Sequence, residues 1–551
     1  MKRWILLTSF LTLFSPLVFS QPIGIFDDQV SIGDDAGAGS ATFANGIYDI
    51  VGSGNDLWGS ADGCYYVYQA VTGSFLITTE VNWEMSGPRD GHEWKKAGLM
   101  ARDSLEFPDD PSASHVTGII IRSQGSNLER RLDYNGGSQD IEVQEKRSDE
   151  TNVIQLMRVG NVFTMLRGLT DGTFRVIGST EVPMSDTIMV GLVVTSHDTS
   201  TTERAFFKDV TLQSLDVAVA VTRTIPSYKV EAGAALAGVT LGLEVETGKT
   251  TDATVTEKVP EGFTVSNLQP SAGTANATAD GVITWTVPGA AGSGAALRYD
   301  AAAPAAAVGV KSFSGSAKSG SSEFSTGGNW EVTVVPPQSN GFGIFTTHED
   351  VFDNETVEGD AGYDPNTGTY VVIGTGNDIW GAADNFHFLY IEVSGKVSLK
   401  ANCQLIVGQG HTEDAKAGLM VRDEIDPSSP HGMSIIRSWG RDFGPLWRDA
   451  FASESGEDEN LNVPGGTVAG RQSGTIEITR DGTSIGYYYY DAATGERVET
   501  LVHEVAEMTD PVYVGFAVTS HNAGYYSTGI FTNAVLTVND KPVPVLDWAL
   551  Y

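Results

Sequence analysis

The 551 residues hold 34 Lys and Arg against 70 Asp and Glu, a formal charge of −36 that repels phosphate backbones and anionic lipid and excludes nucleic acid as the expected partner. Two cysteines are too few for a disulfide framework or a thiolate zinc site. Past residue 20, no apolar run approaches the roughly 20 residues that a membrane helix needs, so no membrane insertion is expected.

In chain order the first element is residues 1–20, which read as a secretory leader. Lys2 and Arg3 supply a positive start, residues 4–14 an apolar run, and Val18, Phe19 and Ser20 a cleavage site. The mature product is expected to begin near Gln21 and to be secreted, periplasmic or held at the cell surface.

Residues 21–215 come next as short β-type runs at 65–68, 75–81, 116–122, 162–166, 188–194 and 206–212. Helical periodicity is absent. Gly160-Asn161 and Asp171-Gly172 supply the positive-φ turns that join antiparallel strands. Between residues 216 and 337 the composition shifts toward Ala, Gly, Ser, Thr and Val. Strand patterns there fall at 253–259, 281–287 and 330–335, and the length suits an immunoglobulin-like sandwich. Pro336-Pro337 reads as a stiff hinge into residues 338–540.

Residues 338–540 repeat residues 21–215. GSGNDLWGSAD from Gly52 recurs as GTGNDIWGAAD from Gly374, KAGLMARD from Lys96 as KAGLMVRD from Lys416, and VGLVVTSH from Val190 as VGFAVTSH from Val514. Lesser matches keep the same order: Ser114-His115 with Pro430-His431, and Ile121-Arg122-Ser123 with Ile436-Arg437-Ser438. Colinear agreement over so long a stretch means duplication of a whole domain rather than a solenoid repeat. Residues 541–551 remain as a tail. Cys64 matches Phe386 and Cys403 matches Val81, so each cysteine reads as a small buried apolar residue.

At these three motifs both copies resemble the concanavalin A-like sandwich modules of the regulation-of-enolase type. The middle segment, through TVTEKVPEGFTVSN from Thr254 and DGVITWTVPG from Asp280, resembles immunoglobulin-related repeats of bacterial surface proteins. The resemblance implies an all-β chain of two concanavalin A-like jelly-roll β-sandwiches separated by an immunoglobulin-like β-sandwich. It implies polysaccharide or glycoconjugate recognition by lectin-like modules more than catalysis. A structural protein of a matrix or surface layer, without a small ligand, is the alternative. A carbohydrate-active hydrolase is a second alternative, for which the sequence offers no Glu-x-Asp-x-Glu strand; Glu424-Ile425-Asp426 and Glu457-Asp458-Glu459 come nearest.

Four tryptophans are candidates for sugar stacking: Trp94 and Trp439, which the other copy lacks, with Trp83 and Trp447. Trp58 and Trp380 occupy matched positions and read as core filling. Asp56, Asp62, Asp378 and Asp384 are candidates for an oxygen-rich calcium site, against a reading in which Asn55-Asp56 and Asn377-Asp378 build Asx-turns. Arg102 with Asp103, and Arg422 with Asp423, read as ion-paired strand ends. His197 and His521 read as strand-end histidines bonded to backbone.

Overall fold

The computed structural model describes residues 22–545, apart from 35–38, 85–90, 93, 104–108, 123–124, 145–149, 216–217, 247, 321, 353–356, 409–413, 439–442 and 458–472. The leader, Trp439, the Asp458-Glu459 pair and most of the tail lie outside the described residues. Among the described residues the chain is strand throughout, with one short 3-10 turn at Gln338–Asn340 and no α-helix.

The first copy forms two seven-stranded antiparallel sheets. One runs, edge to edge, Asp28–Ile32, Cys64–Thr72, Thr187–Thr195, Lys96–Arg102, His115–Ile121, Ser126–Arg131, Ser138–Gln144. The other runs Phe174–Glu181, Val162–Leu169, Glu150–Val159, Phe75–Trp83, Asp198–Ser214, Ile47–Gly54, Ser40–Ala44. The second copy repeats both orders, from Thr347–Val351 through Phe386–Val393, Val512–Thr519, Lys416–Arg422, His431–Arg437 and Gly444–Arg448 to Gly456–Glu457 in the first sheet, and adds to the second sheet one short eighth strand, Lys541–Pro542, paired with Ser527–Val538. Topology thus agrees with the motif repeat.

Alternation explains the packing. In Phe75–Trp83 every second side chain is buried, and Phe75, Ile77 and Val81 meet Leu99, Val116 and Leu192 between the sheets. Lys96–Arg102 is different, since all of it is buried. Ala97, Leu99 and Ala101 face the other sheet, while Met100 faces outward into a second cluster with Leu57, Tyr66, Ile119 and Val193. Loops therefore roof the outer face of this sheet. Cys64 and Cys403 are buried, and burial pushes the Cys403 thiol up, as expected of inert core cysteines.

Strand pairing corrects one sequence match. Lys96 pairs with Ile121, but Lys416 pairs with Arg437, so Arg437 stands where the first copy has Ile121, not Arg122. A one-residue shift of this kind moves a side chain to the opposite face.

The middle segment is built from sheets of five, three and five strands around Trp285, Tyr299 and Val255. It packs on both copies. Ala218 and Ala220 join Met157, Val159 and Val176 of the first copy, and the Tyr228 ring stacks on Tyr526 of the second at 4.6 Å. Lys229 meets Asp360 at 2.9 Å, and Pro336 is buried.

Candidate functional site

The outer face of the first sheet carries the densest polar network of each copy. In the first copy Asp62 has no exposed surface and is clasped by two guanidiniums, Arg102 and Arg131, with Arg131 Nη2 2.6 Å from Oδ1. His115 Nδ1 lies 3.2 Å from Oδ2. The second copy rebuilds the cluster with Asp384, Arg422 at 2.7 Å, Arg448 at 2.5 Å and His431 at 3.3 Å. Burial would raise the Asp62 and Asp384 carboxyls, but the histidine and arginines beside them outweigh it and hold Asp62 well below, and Asp384 below, the usual range. Burial lowers His115, and takes His431 down to about 3, which leaves the His431 ring neutral at neutral pH.

These clusters pin a loop. Arg131 donates through Nη2 to Gly59 O at 3.1 Å, and Arg448 to Gly381 O at 3.0 Å, immediately after Trp58 and Trp380. Gly63 N donates to Asp56 O at 2.6 Å, and Asn385 N to Asp378 O at 2.6 Å, closing the same loop in each copy. Gly54, at φ 129°, opens it, where an added Cβ would strike Gly63 O at 2.0 Å.

The indoles this loop carries are exposed. Trp58 is 43% and Trp380 40% accessible, which overturns their reading as core filling. The residues at their back are the motif residues. Lys96 Nζ lies 2.7 Å from Asp56 Oδ1 and 5.8 Å from the Trp58 ring centre, and His197 Nε2 lies 3.1 Å from Asp56 Oδ2. In the second copy Lys416 pairs with Asp378, and His521 Nε2 lies 3.4 Å from its Oδ2. The two histidines sit at φ 59° and 61°, left-handed backbone that costs a side-chain-bearing residue about 1–2 kcal/mol. Both stand just past a strand end, as read, but the imidazole meets an aspartate carboxylate instead of backbone.

The calcium reading does not survive this geometry. Asp56 and Asp378 accept from the next backbone amide, Leu57 N and Ile379 N at 2.7 Å, one residue short of an Asx-turn, and their carboxylates face lysine and histidine. Asp62 and Asp384 are neutralised by buried arginines. Among the described residues no group of three His, Cys, Asp or Glu is placed to hold a metal ion. Nor do the strand-end pairs form as read from sequence: Arg102 and Arg422 reach the buried aspartates, while Asp103 accepts from Ser185 N and Asp423 from Thr509 N.

The tryptophans singled out by sequence are scattered. Trp83 is buried, donates to Ile121 O at 3.3 Å and lies under Lys95. Trp447 is half-buried against the second core with the His503 ring 4.3 Å away. Trp94 is half-buried in a turn, its backbone N–H donating to His92 Nδ1 at 3.1 Å. The signal for Trp58 and Trp380 lay in the motif itself, at a position where a core residue was the economical reading.

The two copies differ one row along the sheet. Lys96 also meets Glu129, buried at 3.1 Å, beside Thr117 and Asn127. Glu129 Oε1, Thr117 Oγ1 and Asn127 Oδ1 find no hydrogen-bond partner among the described residues. In the second copy the three positions are Leu446, Met433 and Gly444, part of or beside an apolar cluster. Burial works against both lysines. Glu129 and Asp56 outweigh it and hold Lys96 above its usual value, whereas Asp378 does not, and with Arg437 nearby Lys416 falls below.

No family model matches the chain, and no curated protein is significantly similar to it in sequence. Among solved structures it is similar to a functionally unknown protein from Saccharomyces cerevisiae, at 14% identity and TM-score 0.26 over 32% of this chain and 92% of that one. It is also similar to lectin I-B4 from Griffonia simplicifolia, at 10% identity and TM-score 0.22 over 34% and 95%. A xylan β-1,4-xylosidase from Bacillus halodurans matches at 10% identity and TM-score 0.25 over 90% and 86%. At these scores the matches carry no argument about any residue of the site.

Proposed function

We propose that this is an exported, non-catalytic carbohydrate-binding or adhesion protein whose contact surfaces are the matched indoles Trp58 and Trp380. In this reading the two repeated sheet pairs are concanavalin A-like jelly rolls and the middle segment an immunoglobulin-like domain.

The observation that carries the reading is an exposed tryptophan kept at the same place in both copies on a loop locked from beneath. A single exposed aromatic means little. Two equivalent ones, each fixed by a buried Asp–Arg–Arg–His cluster that is expensive to assemble, supply rigid flat faces on which a pyranose ring stacks. Two such faces on one chain raise apparent affinity for a polymer by about 10²-fold or more when both engage.

The test is a glycan array probed with the full chain, with and without a chelator. Saturable binding is expected, lost in the Trp58→Ala/Trp380→Ala double variant and unchanged by the chelator, since protein cations already occupy the aspartates. A blank array, or binding that the folded double variant retains, overturns the reading.

A further inference from the structure

The buried trio Lys96, Asp56 and Glu129 is more than an ion pair needs. Lysine Nζ touches Asp56 Oδ1 at 2.7 Å and Glu129 Oε2 at 3.1 Å, with the lysine and glutamate side chains almost wholly removed from solvent. Leu57 N–H donates to Asp56 Oδ1 at 2.7 Å, and His197 Nε2 lies 3.1 Å from Oδ2. An amine, a carboxyl carbon, a donor on one oxygen, an imidazole on the other and a second carboxylate on the amine are the parts of an acyl-transfer site.

We propose that in the first copy, and not in the second, Lys96 and Asp56 condense to an intramolecular amide with Glu129 as the proton acceptor. Glu129 takes a proton from the Lys96 ammonium, and the freed amine adds to Asp56 Cγ. Oδ1, held by the Leu57 N–H, becomes the amide oxygen. The bond from Cγ to Oδ2 breaks, and Oδ2 leaves as water carrying the two protons lost by Nζ, one of them handed on by Glu129, so that Glu129 and His197 end as they began. One C–N bond forms, one C–O bond breaks, one positive and one negative charge cancel, and nothing is oxidised or reduced.

Two features favour the step. Contact between nucleophile and electrophile removes the entropic part of the barrier, and the buried amine keeps water from reversing the reaction. Burial raises the Glu129 carboxyl well above its usual value, with Asp140 and Asp56 adding to it against the pull of Lys96, so it accepts a proton more readily than an exposed carboxylate, against the hold that Glu129 and Asp56 keep on the Lys96 ammonium. The second copy has the lysine, the aspartate, the histidine and the Ile379 N–H donor, but Leu446 stands where Glu129 would be. It is the built-in control.

The experiment is peptide mapping by mass spectrometry of the full chain, unfolded and digested. The expected product is one branched peptide joining the Lys96 and Asp56 segments, lighter by one water than the two separately, with the Lys416 and Asp378 segments unjoined. Glu129→Gln is expected to return the two linear peptides while keeping its β-sheet circular dichroism. Unmodified Lys96 and Asp56 peptides from the wild-type chain overturn the proposal, whether or not the variant folds. A branch that persists in Glu129→Gln overturns the role given to Glu129, and a joined Lys416–Asp378 pair overturns its restriction to the first copy.

Discussion

The two copies share the cluster that holds the loop and differ in the row beside it. Asp62 with Arg102, Arg131 and His115 is matched partner for partner by Asp384 with Arg422, Arg448 and His431. One row along, Thr117, Asn127 and Glu129 face Met433, Gly444 and Leu446. The difference teaches which part of the face the fold requires. Two buried guanidiniums around one carboxylate cannot be changed singly without stranding a charge, so duplication carried the cluster through intact. A neighbouring position that reaches only the lysine is free to exchange a carboxylate for an apolar side chain.

The largest expected effect comes from the shared cluster. Asp62→Asn and Asp384→Asn each leave two buried arginines without a counter-charge, and each is expected to cost roughly 3–5 kcal/mol. Hydrogen exchange of the strands Lys96–Arg102 and Lys416–Arg422 reads the two copies separately. Equal losses, each confined to its own copy, support a shared structural cluster. A small loss in either copy breaks the comparison.

Acid has the next largest effect. His431, with a folded value near 3 against 6.5 for the free side chain, refuses a proton that the unfolded chain accepts, and His115 is shifted in the same direction. Stability contributed by a neutral buried histidine is complete above pH 6.5 and is lost as the pH falls below it. The loss for His431 is expected at about 1.4 kcal/mol per pH unit, continuing down to about pH 3. Denaturant titrations at stepped pH measure the slope. A His431→Asn variant that keeps the full slope shows that other groups set it.

How much of the fold and site is legible in the sequence depends on where each residue's partners lie. The repeat is legible because Asp56, Lys96 and His197 each fall in a motif, and those motifs prove to be one site brought together by strand pairing. Their roles are not, since the partners sit 40 residues apart for Asp56 and Lys96 and come from different strands. Arg131 and Arg448 carry no motif at all, so the clusters around Asp62 and Asp384 are invisible in the sequence and the aspartates read as free for calcium. The match of Arg122 with Arg437 fails by a single residue, which pattern alone does not detect and the ladder to Lys416 does. Trp83 and Trp447 mislead for the converse reason, because aromatic content does not reveal which face of a strand is roofed.

The smallest expected effect separates the two readings of Trp58 and Trp380 most cleanly. A tryptophan filling a sandwich core costs about 3–5 kcal/mol when cut to alanine, through lost transfer energy and the cavity left behind. Trp58 and Trp380 keep 43% and 40% of their surface in solvent, and the loop beneath them is held by backbone carbonyls accepting from Arg131 and Arg448, not by the indoles. Trp58→Ala and Trp380→Ala are therefore each expected to shift the unfolding free energy by less than about 1 kcal/mol, with Trp58 the larger because its ring also faces the Lys96 ammonium. A loss several times that size in either variant returns the indole to the core and removes it as a binding face. Near-neutral stability joined to lost glycan binding ties the matched tryptophans to recognition alone, which is the one role that explains why both copies keep a large apolar ring where the fold does not need it.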